Sequence, residues 1–256
     1  MLTRILSAAL FAAFLGGLVS AGLMEVKTTP LILEAERYEN GLAQSASPGA
    51  DGIAAAPFGA KLLRVHGTES HDGHEGAVSW APEDGLERSF YTLITAIGTS
   101  FGYALILLAA MLFAGERIGW RSGLGWGIAG FVATALAPSL GLAPELPGSA
   151  AAALESRQLW WAGTVLATAA GLWLVLRVST AIAIAGGLLL LALPHIIGAP
   201  HPYEYVASAV PTELSGQFAA ASLAIHGITW AVIGAASGFA VAWLARRSGE
   251  ATPATA

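Results

Sequence analysis

A chain of 256 residues that is 55% hydrophobic and 11% charged, with a net charge of −5, has too few charges to coat a water-soluble domain of its size, so much of its surface faces lipid. The negative balance excludes nucleic acid as a partner, because phosphate binding needs clustered Lys and Arg. No cysteine occurs, which excludes disulfides, thiolate metal sites and cysteine nucleophiles and leaves His, carboxylate, Met and backbone oxygen as metal donors.

A hydrocarbon layer about 30 Å thick is spanned by roughly 20 apolar helical residues. Six stretches meet or approach that length, at 5–24, 90–114, 122–142, 158–176, 180–198 and 215–244. The chain thus reads as an all-α, polytopic membrane bundle of about six transmembrane helices forming a single domain over 1–256. Two features leave the count open at five. In the first stretch, Arg4, an apolar run and Val19-Ser20-Ala21 resemble a cleavable signal peptide. Against cleavage, Ala9, Ala13, Gly17 and Ala21 recur every four residues and form a close-packing stripe suited to a retained helix. The fourth and fifth stretches are separated only by Arg177, Val178 and Ser179. A hairpin is favoured there over one long segment, because Arg177 is costly at mid-bilayer and stable at an interface.

Residues 25–89 form a long insertion between the first two stretches. Pro30 is expected to kink or restart the helix, giving a short amphipathic piece over 31–38, and 40–80 shows no sustained period and reads as a flexible loop. The second membrane helix has a clear start signal: Pro82 followed by Glu83, Asp84 and Glu87, which complement the positive end of the helix dipole. Pro211 and Glu213 repeat it before the last helix. Gly98-x-x-x-Gly102 and Gly234-x-x-x-Gly238 are expected to let helices two and six pack closely.

The short connections fix the expected orientation. With the N terminus in the cytoplasm, Arg4, Arg117, Arg121, Arg177, Arg246 and Arg247 all fall on that side, and 15 of the 17 carboxylates fall on the other. Both termini are then cytoplasmic and the long acidic loop is external.

No Walker, Rossmann, H-E-x-x-H or G-x-S-x-G motif is present, so the sequence supports neither ATP hydrolysis nor zinc-protease or serine-hydrolase chemistry, and the chain does not read as an enzyme. All six histidines fall on the outer side or in the outer half of the membrane. His71, His74 and Glu75 lie in one short loop run, enough to hold a borderline divalent ion loosely, although a solvated loop tip has the same composition. Pro144 to Gly148 and Pro194 to Pro200 offer stiff backbone that either holds Glu145 and His195 at an entrance or only ends helices. His226 lies within helix six, where an ionisable group is a site hypothesis. At about 100° per residue, Ser222, His226 and Thr229 share one face with Ser215 and Ser237. Thr92, Thr95, Thr99 and Tyr103 form a similar stripe on helix two, and Arg157, Thr164 and Thr168 do so on helix four. Three such stripes facing inward would line a hydrated path; interhelical packing by hydroxyls is the plainer reading.

Five segments in order, Pro30-Leu-Ile-Leu-Glu-Ala-Glu36 with Tyr38-Glu39, Trp80-Ala-Pro-Glu-Asp-Gly-Leu-Glu-Arg88, Leu136-Ala-Pro-Ser-Leu-Gly-Leu-Ala-Pro-Glu-Leu-Pro-Gly148, Arg157-Gln-Leu-Trp-Trp161 and Leu193-Pro-His-Ile-Ile-Gly-Ala-Pro200, resemble CbtA, a family of predicted cobalt transporter subunits. The resemblance implies a bacterial inner-membrane protein for cobalt uptake linked to cobalamin synthesis, with a small single-span, histidine-bearing partner, CbtB. It also implies five membrane segments where six are counted here, and it transfers no ligand set. The sequence alone therefore suggests the following route. Outer histidines and carboxylates concentrate a divalent ion, Glu34, Glu83, Glu145, Glu213 and His195 receive it, and His226 relays it inward. The metal is cargo rather than cofactor, and Co, Ni and Zn stay open on ligand type alone. Homo-oligomerisation is also open. The alternative is a non-transporting scaffold or metal-handling component of a larger permease.

Overall fold

The structure, a computed structural model, describes residues 1–45, 82–202, 208 and 210–248. Among these residues all regular structure is helical, in six rods. They are α1 (Leu2–Ser45), α2 (Leu86–Phe113), α3 (Trp120–Phe131, continued through a π turn at Val132–Leu136 and a last turn at Ala137–Ser139), α4 (Leu154–Trp173, ending in a π turn at Leu174–Val178), α5 (Ala181–Ile197) and α6 (Thr212–Arg247). The spans in α1, α2, α4 and α6 are each long and apolar enough to cross a bilayer, and α5 is apolar but shorter. The chain is a polytopic membrane helical bundle.

Two elements differ from the sequence expectation. Pro30 does not restart α1, which runs unbroken for 44 residues. The proline removes a backbone bond, but packing holds the helix beyond it. Ala35 is fully buried in a cluster with Leu146, Val210 and Leu214, and Glu36 takes two hydrogen bonds from the Arg88 guanidinium, at 2.5 and 3.4 Å. The amphipathic piece expected at 31–38 is thus the continuation of α1. The loop expected over 40–80 lies outside the described residues from 46 onward; 40–45 belong to α1. Second, the Gly98 and Gly102 pair faces open space, with nothing within 4 Å of an added Cβ on either. The close approach of α1 to α2 uses Gly17 instead, where a Cβ would come within 2.7 Å of the Ile97 Cα.

Helices four and five are separate. The π turn ending α4 closes with the Ser179 N–H on the Leu174 carbonyl at 3.1 Å. Ser179 then takes a left-handed conformation, φ 55°, and the Thr180 hydroxyl caps α5 by accepting from the Ala183 N–H at 3.2 Å. In α3 the π turn precedes Pro138, and the Ala137 N–H reaches back to the Val132 carbonyl. Widening the helix in this way accommodates a proline that would clash with an ordinary α-helical turn.

Helix α1 packs against α2 and α6, and α3 packs against α6. Gly234-x-x-x-Gly238 meets Gly119, Gly123 and Gly127: a Cβ on Gly123 would fall on the Gly234 carbonyl oxygen and one on Gly238 on the Gly119 carbonyl oxygen. The two backbones therefore touch directly. The α4–α5 hairpin joins this group where α4 packs against the π turn and last turn of α3, and Arg177 ties it to the turn after α2 by an ion pair with Glu116 at 2.6 Å and a bond to the Ala114 carbonyl at 2.8 Å. Arg4 donates to Ser248 at 3.4 Å, so the start of α1 and the end of α6 lie at this same arginine-rich end. At the opposite, acidic end stand Glu36, Asp84, Glu145 and Glu213.

Candidate functional site

A cavity of about 670 Å³ opens between α1, α2 and α6. From Arg88 to Tyr103 it follows α2 for about 22 Å, at about 1.5 Å of rise per residue. Thr92, Thr95, Thr99 and Tyr103 line it from α2, and Ser222, His226 and Thr229 line it from α6. The third wall is α1, through Ser20, Met24 and Thr28. The Thr28 hydroxyl donates to the Met24 carbonyl at 3.2 Å, and Ser20 Oγ donates to the Met24 sulfur at 3.8 Å. These three residues recur every four positions, a helical signal present in the sequence and hidden by ending the first membrane segment at residue 24.

The cavity ends at stacked rings of Tyr103 and Trp230, whose centroids are 4.4 Å apart and 19° from parallel. Toward the arginine end, Trp230 joins Leu107, Leu108, Met111, Ile233 and Ala236 in a buried apolar cluster. A path from the acidic end is therefore closed at this floor.

A second cavity, of about 360 Å³, lies between the π turn of α3, the loop after it, α4 and α6. Pro144, Glu145 and His226 line both cavities and so form the wall between them. Glu145 accepts from Arg157 Nη2 at 2.6 Å, while Arg157 Nε is buried without a protein partner. Burial pushes the Glu145 carboxyl above its ordinary range, with the charge and hydrogen bond of Arg157 acting in the opposite sense. His226 Nδ1 lies 2.9 Å from the Ser222 carbonyl oxygen. A carbonyl only accepts, so Nδ1 donates there, and whenever the ring is neutral Nε2 holds the free lone pair, the arrangement a metal-ligating histidine requires.

The remaining residues named from sequence are placed elsewhere. Glu34, Glu83 and Glu213 are exposed and line neither cavity. His195 also lines neither; its ring meets Trp160 edge-on at 6.1 Å. Thr164 and Thr168 are fully buried in α4. Thr164 donates to the Trp160 carbonyl at 2.8 Å, and the Thr168 hydroxyl has no protein partner. His71, His74 and Glu75 lie outside the described residues. Among the described residues, no three His, Asp or Glu side chains gather closely enough to hold a metal ion.

A model of the family described as "Probable cobalt transporter subunit (CbtA)" matches residues 2–242. The chain belongs to the CbtA family. No curated protein and no solved structure matches it. Membership places the CbtA chain among probable cobalt transporter subunits, the word subunit implying at least one further component, and its long apolar helices make it a multi-pass membrane protein. The five segments that carried the resemblance meet pairwise at the acidic end. Glu36 pairs with Arg88, and Glu145 with Arg157. Trp160 donates to the Pro194 carbonyl at 3.2 Å, and a Cβ on Gly141 would come within 2.6 Å of the Trp160 ring and 2.8 Å of Ala199.

Proposed function

We propose that this CbtA chain forms the membrane pathway for cobalt uptake into a bacterial cell, supplying cobalamin synthesis. It acts in the inner membrane, with both termini cytoplasmic and the acidic end outside. The carrying observation is that His226 and Glu145 line both cavities while Ser222 holds the His226 ring with Nε2 free. Cobalt enters from the acidic end between α1, α2 and α6. The outer histidines and carboxylates, including His71, His74, Glu75, Glu34, Glu83, Glu213 and His195, raise its local concentration. His226 Nε2 takes the ion at the shared wall, and Glu145 turns from the Arg157 guanidinium to pair with the cation through its coordinated water. Release toward the arginine end requires Tyr103 and Trp230 to part. A negative-inside potential favours entry of two charges by roughly 4.6 kcal/mol per 100 mV. The implied partner is a small single-span protein bearing histidine.

Radiolabelled cobalt uptake by cells expressing the chain with and without that partner tests the reading. Accumulation is expected with both components and is lost in His226→Ala with the protein verified in the membrane. No accumulation by the unaltered pair overturns transport in favour of a scaffold role. Accumulation undiminished by His226→Ala removes the shared wall from the pathway.

A further inference from the structure

We infer that cobalt occupies the larger cavity as an aqua ion, exchanging one coordinated water for the His226 imidazole and keeping the others, which hydrogen-bond to the hydroxyl-lined walls. The inference rests on the cavity being the cobalt site, as proposed above, and specifies the chemical form of the substrate there.

Size is the first argument. A water occupies about 30 Å³ of liquid, so an ion with six waters needs on the order of 200 Å³. The cavity offers about 670 Å³, about three times what the hydrated ion needs and far more than a stripped ion would fill.

The donor set is the second. A stripped divalent ion of this class needs four to six inner ligands. The cavity supplies one imidazole, from His226, and one carboxylate, Glu145, already bonded to Arg157 at 2.6 Å. The Met24 thioether is a soft donor, ill matched to an aqua dication, and already receives the Ser20 hydroxyl. Among the described residues no group of three His, Asp or Glu exists to complete a shell. Full dehydration would leave most of the hydration energy unreplaced, a cost far beyond what these groups return.

The chemistry of the walls is the third. Ten lining side chains carry hydroxyls. Metal-bound water is a strong hydrogen-bond donor and needs acceptors, and each hydroxyl oxygen keeps lone pairs even when its own proton is used. Thr28 shows this arrangement, since its proton goes to the Met24 carbonyl and its oxygen is left as an acceptor. Thr229 adds an independent sign: it is 6% exposed, lines the cavity, and its hydroxyl has no protein partner. A buried hydroxyl beside a polar cavity is satisfied by water or by a water ligand of the ion.

Cobalt(II) reports its own coordination, because a six-coordinate centre with oxygen and one nitrogen absorbs weakly in the visible, whereas a tetrahedral centre absorbs intensely. The test is the absorption and X-ray absorption difference between the purified full chain and His226→Ala, both loaded with cobalt(II). The subtraction cancels any cobalt held by other histidines. A weak, six-coordinate difference signal with a single imidazole is expected. In Thr95→Val and Thr92→Val, which keep side-chain shape and delete one hydroxyl each, the same spectrum is expected with affinity reduced about five-fold. A tetrahedral signal, two or more imidazoles, or unchanged affinity in both threonine variants overturns the aqua-ion form while leaving cobalt in the cavity. No difference signal at all overturns the cavity as the cobalt site, and the inference falls with it.

Discussion

Gly123→Ala and Gly125→Ala, two residues apart on α3, are expected to change stability in opposite directions. A methyl on Gly123 would fall on the Gly234 carbonyl oxygen and lie 3.0 Å from the Gly234 carbonyl carbon and 3.2 Å from the Gly238 Cα. All three obstacles are backbone of α6 and cannot rotate aside. Ordinary carbon contacts start at about 3.5 Å, so α3 and α6 must separate by roughly half an ångström or more, which forfeits about a quarter or more of each contact energy along the seam. Overpacking of this kind costs about 1 to 3 kcal/mol. The helix propensity gained by replacing glycine returns up to about 1 kcal/mol. Net destabilisation of about 1 to 2 kcal/mol is expected for Gly123→Ala. Gly125 has nothing within 4 Å of an added Cβ, so Gly125→Ala keeps only the propensity gain and is neutral or stabilising by up to about 1 kcal/mol. Equilibrium unfolding of the purified protein in detergent–SDS mixtures, followed by tryptophan fluorescence, reads the difference. If Gly123→Ala is at least as stable as Gly125→Ala, direct backbone contact between α3 and α6 is refuted.

Three further outcomes follow from the site. Because burial raises the Glu145 carboxyl in the folded protein, protons compete with cobalt for it. Cobalt affinity should climb as pH rises through that raised value, Glu145→Gln should lose this limb, and Arg157→Gln should move it to higher pH, all measurable by isothermal titration. The linked stability has the matching sign. Folding favours the protonated acid, so the stabilisation from Glu145 is fully present below its unfolded pKa and is lost as pH rises through the folded value. Thr168→Val replaces a fully buried hydroxyl that has no protein partner with a side chain of equal shape; a gain of about 1 kcal/mol is expected in unfolding measurements, with cobalt affinity unchanged. His195→Ala should lower stability by about 0.5 to 1.5 kcal/mol through its lost ring contact with Trp160 and leave cobalt affinity at the parental level. A fall in affinity matching that of His226→Ala would place a ligand at the end of α5.

The parts of the fold legible in the sequence were those carried by periodicity within one helix. Apolar runs mark all six rods, and the 3.6-residue period puts Thr92, Thr95, Thr99 and Tyr103 on one face of α2 and Ser222, His226 and Thr229 on one face of α6, where the structure has them lining one cavity. Whether cobalt uses those faces is a matter for the binding experiments. The extension of α1 was not legible, because Glu25, Lys27 and Pro30 are local signals for leaving a membrane helix, while the contacts that override them come from Leu146, Val210 and Arg88, far along the chain. For the same reason Thr164 and Thr168 resembled a path stripe. Their spacing matches one, and their complete burial in α4 is set by packing that the spacing does not carry. Gly234-x-x-x-Gly238 announced a close contact without naming its partner. The matching stripe of Gly119, Gly123 and Gly127 gains meaning only when α3 and α6 are set side by side.

Arg157 gives the shared wall a reason to discriminate by charge. Arg157 pairs with Glu145 across the shared wall, so the partly exposed carboxylate already has a cationic partner. A cation that binds Glu145 must displace a guanidinium held by a short, charge-assisted hydrogen bond. A monovalent ion replaces one positive charge with another and gains little, since its own hydration loss offsets the exchange. A divalent ion brings a second charge and finds a free lone pair on His226 Nε2 to receive it, and both favour the exchange in the same place. On the proposed pathway, selectivity for a dication would come from the Arg157 pair rather than from an excess of negative charge, which fits a cavity whose single carboxylate already has a cationic partner.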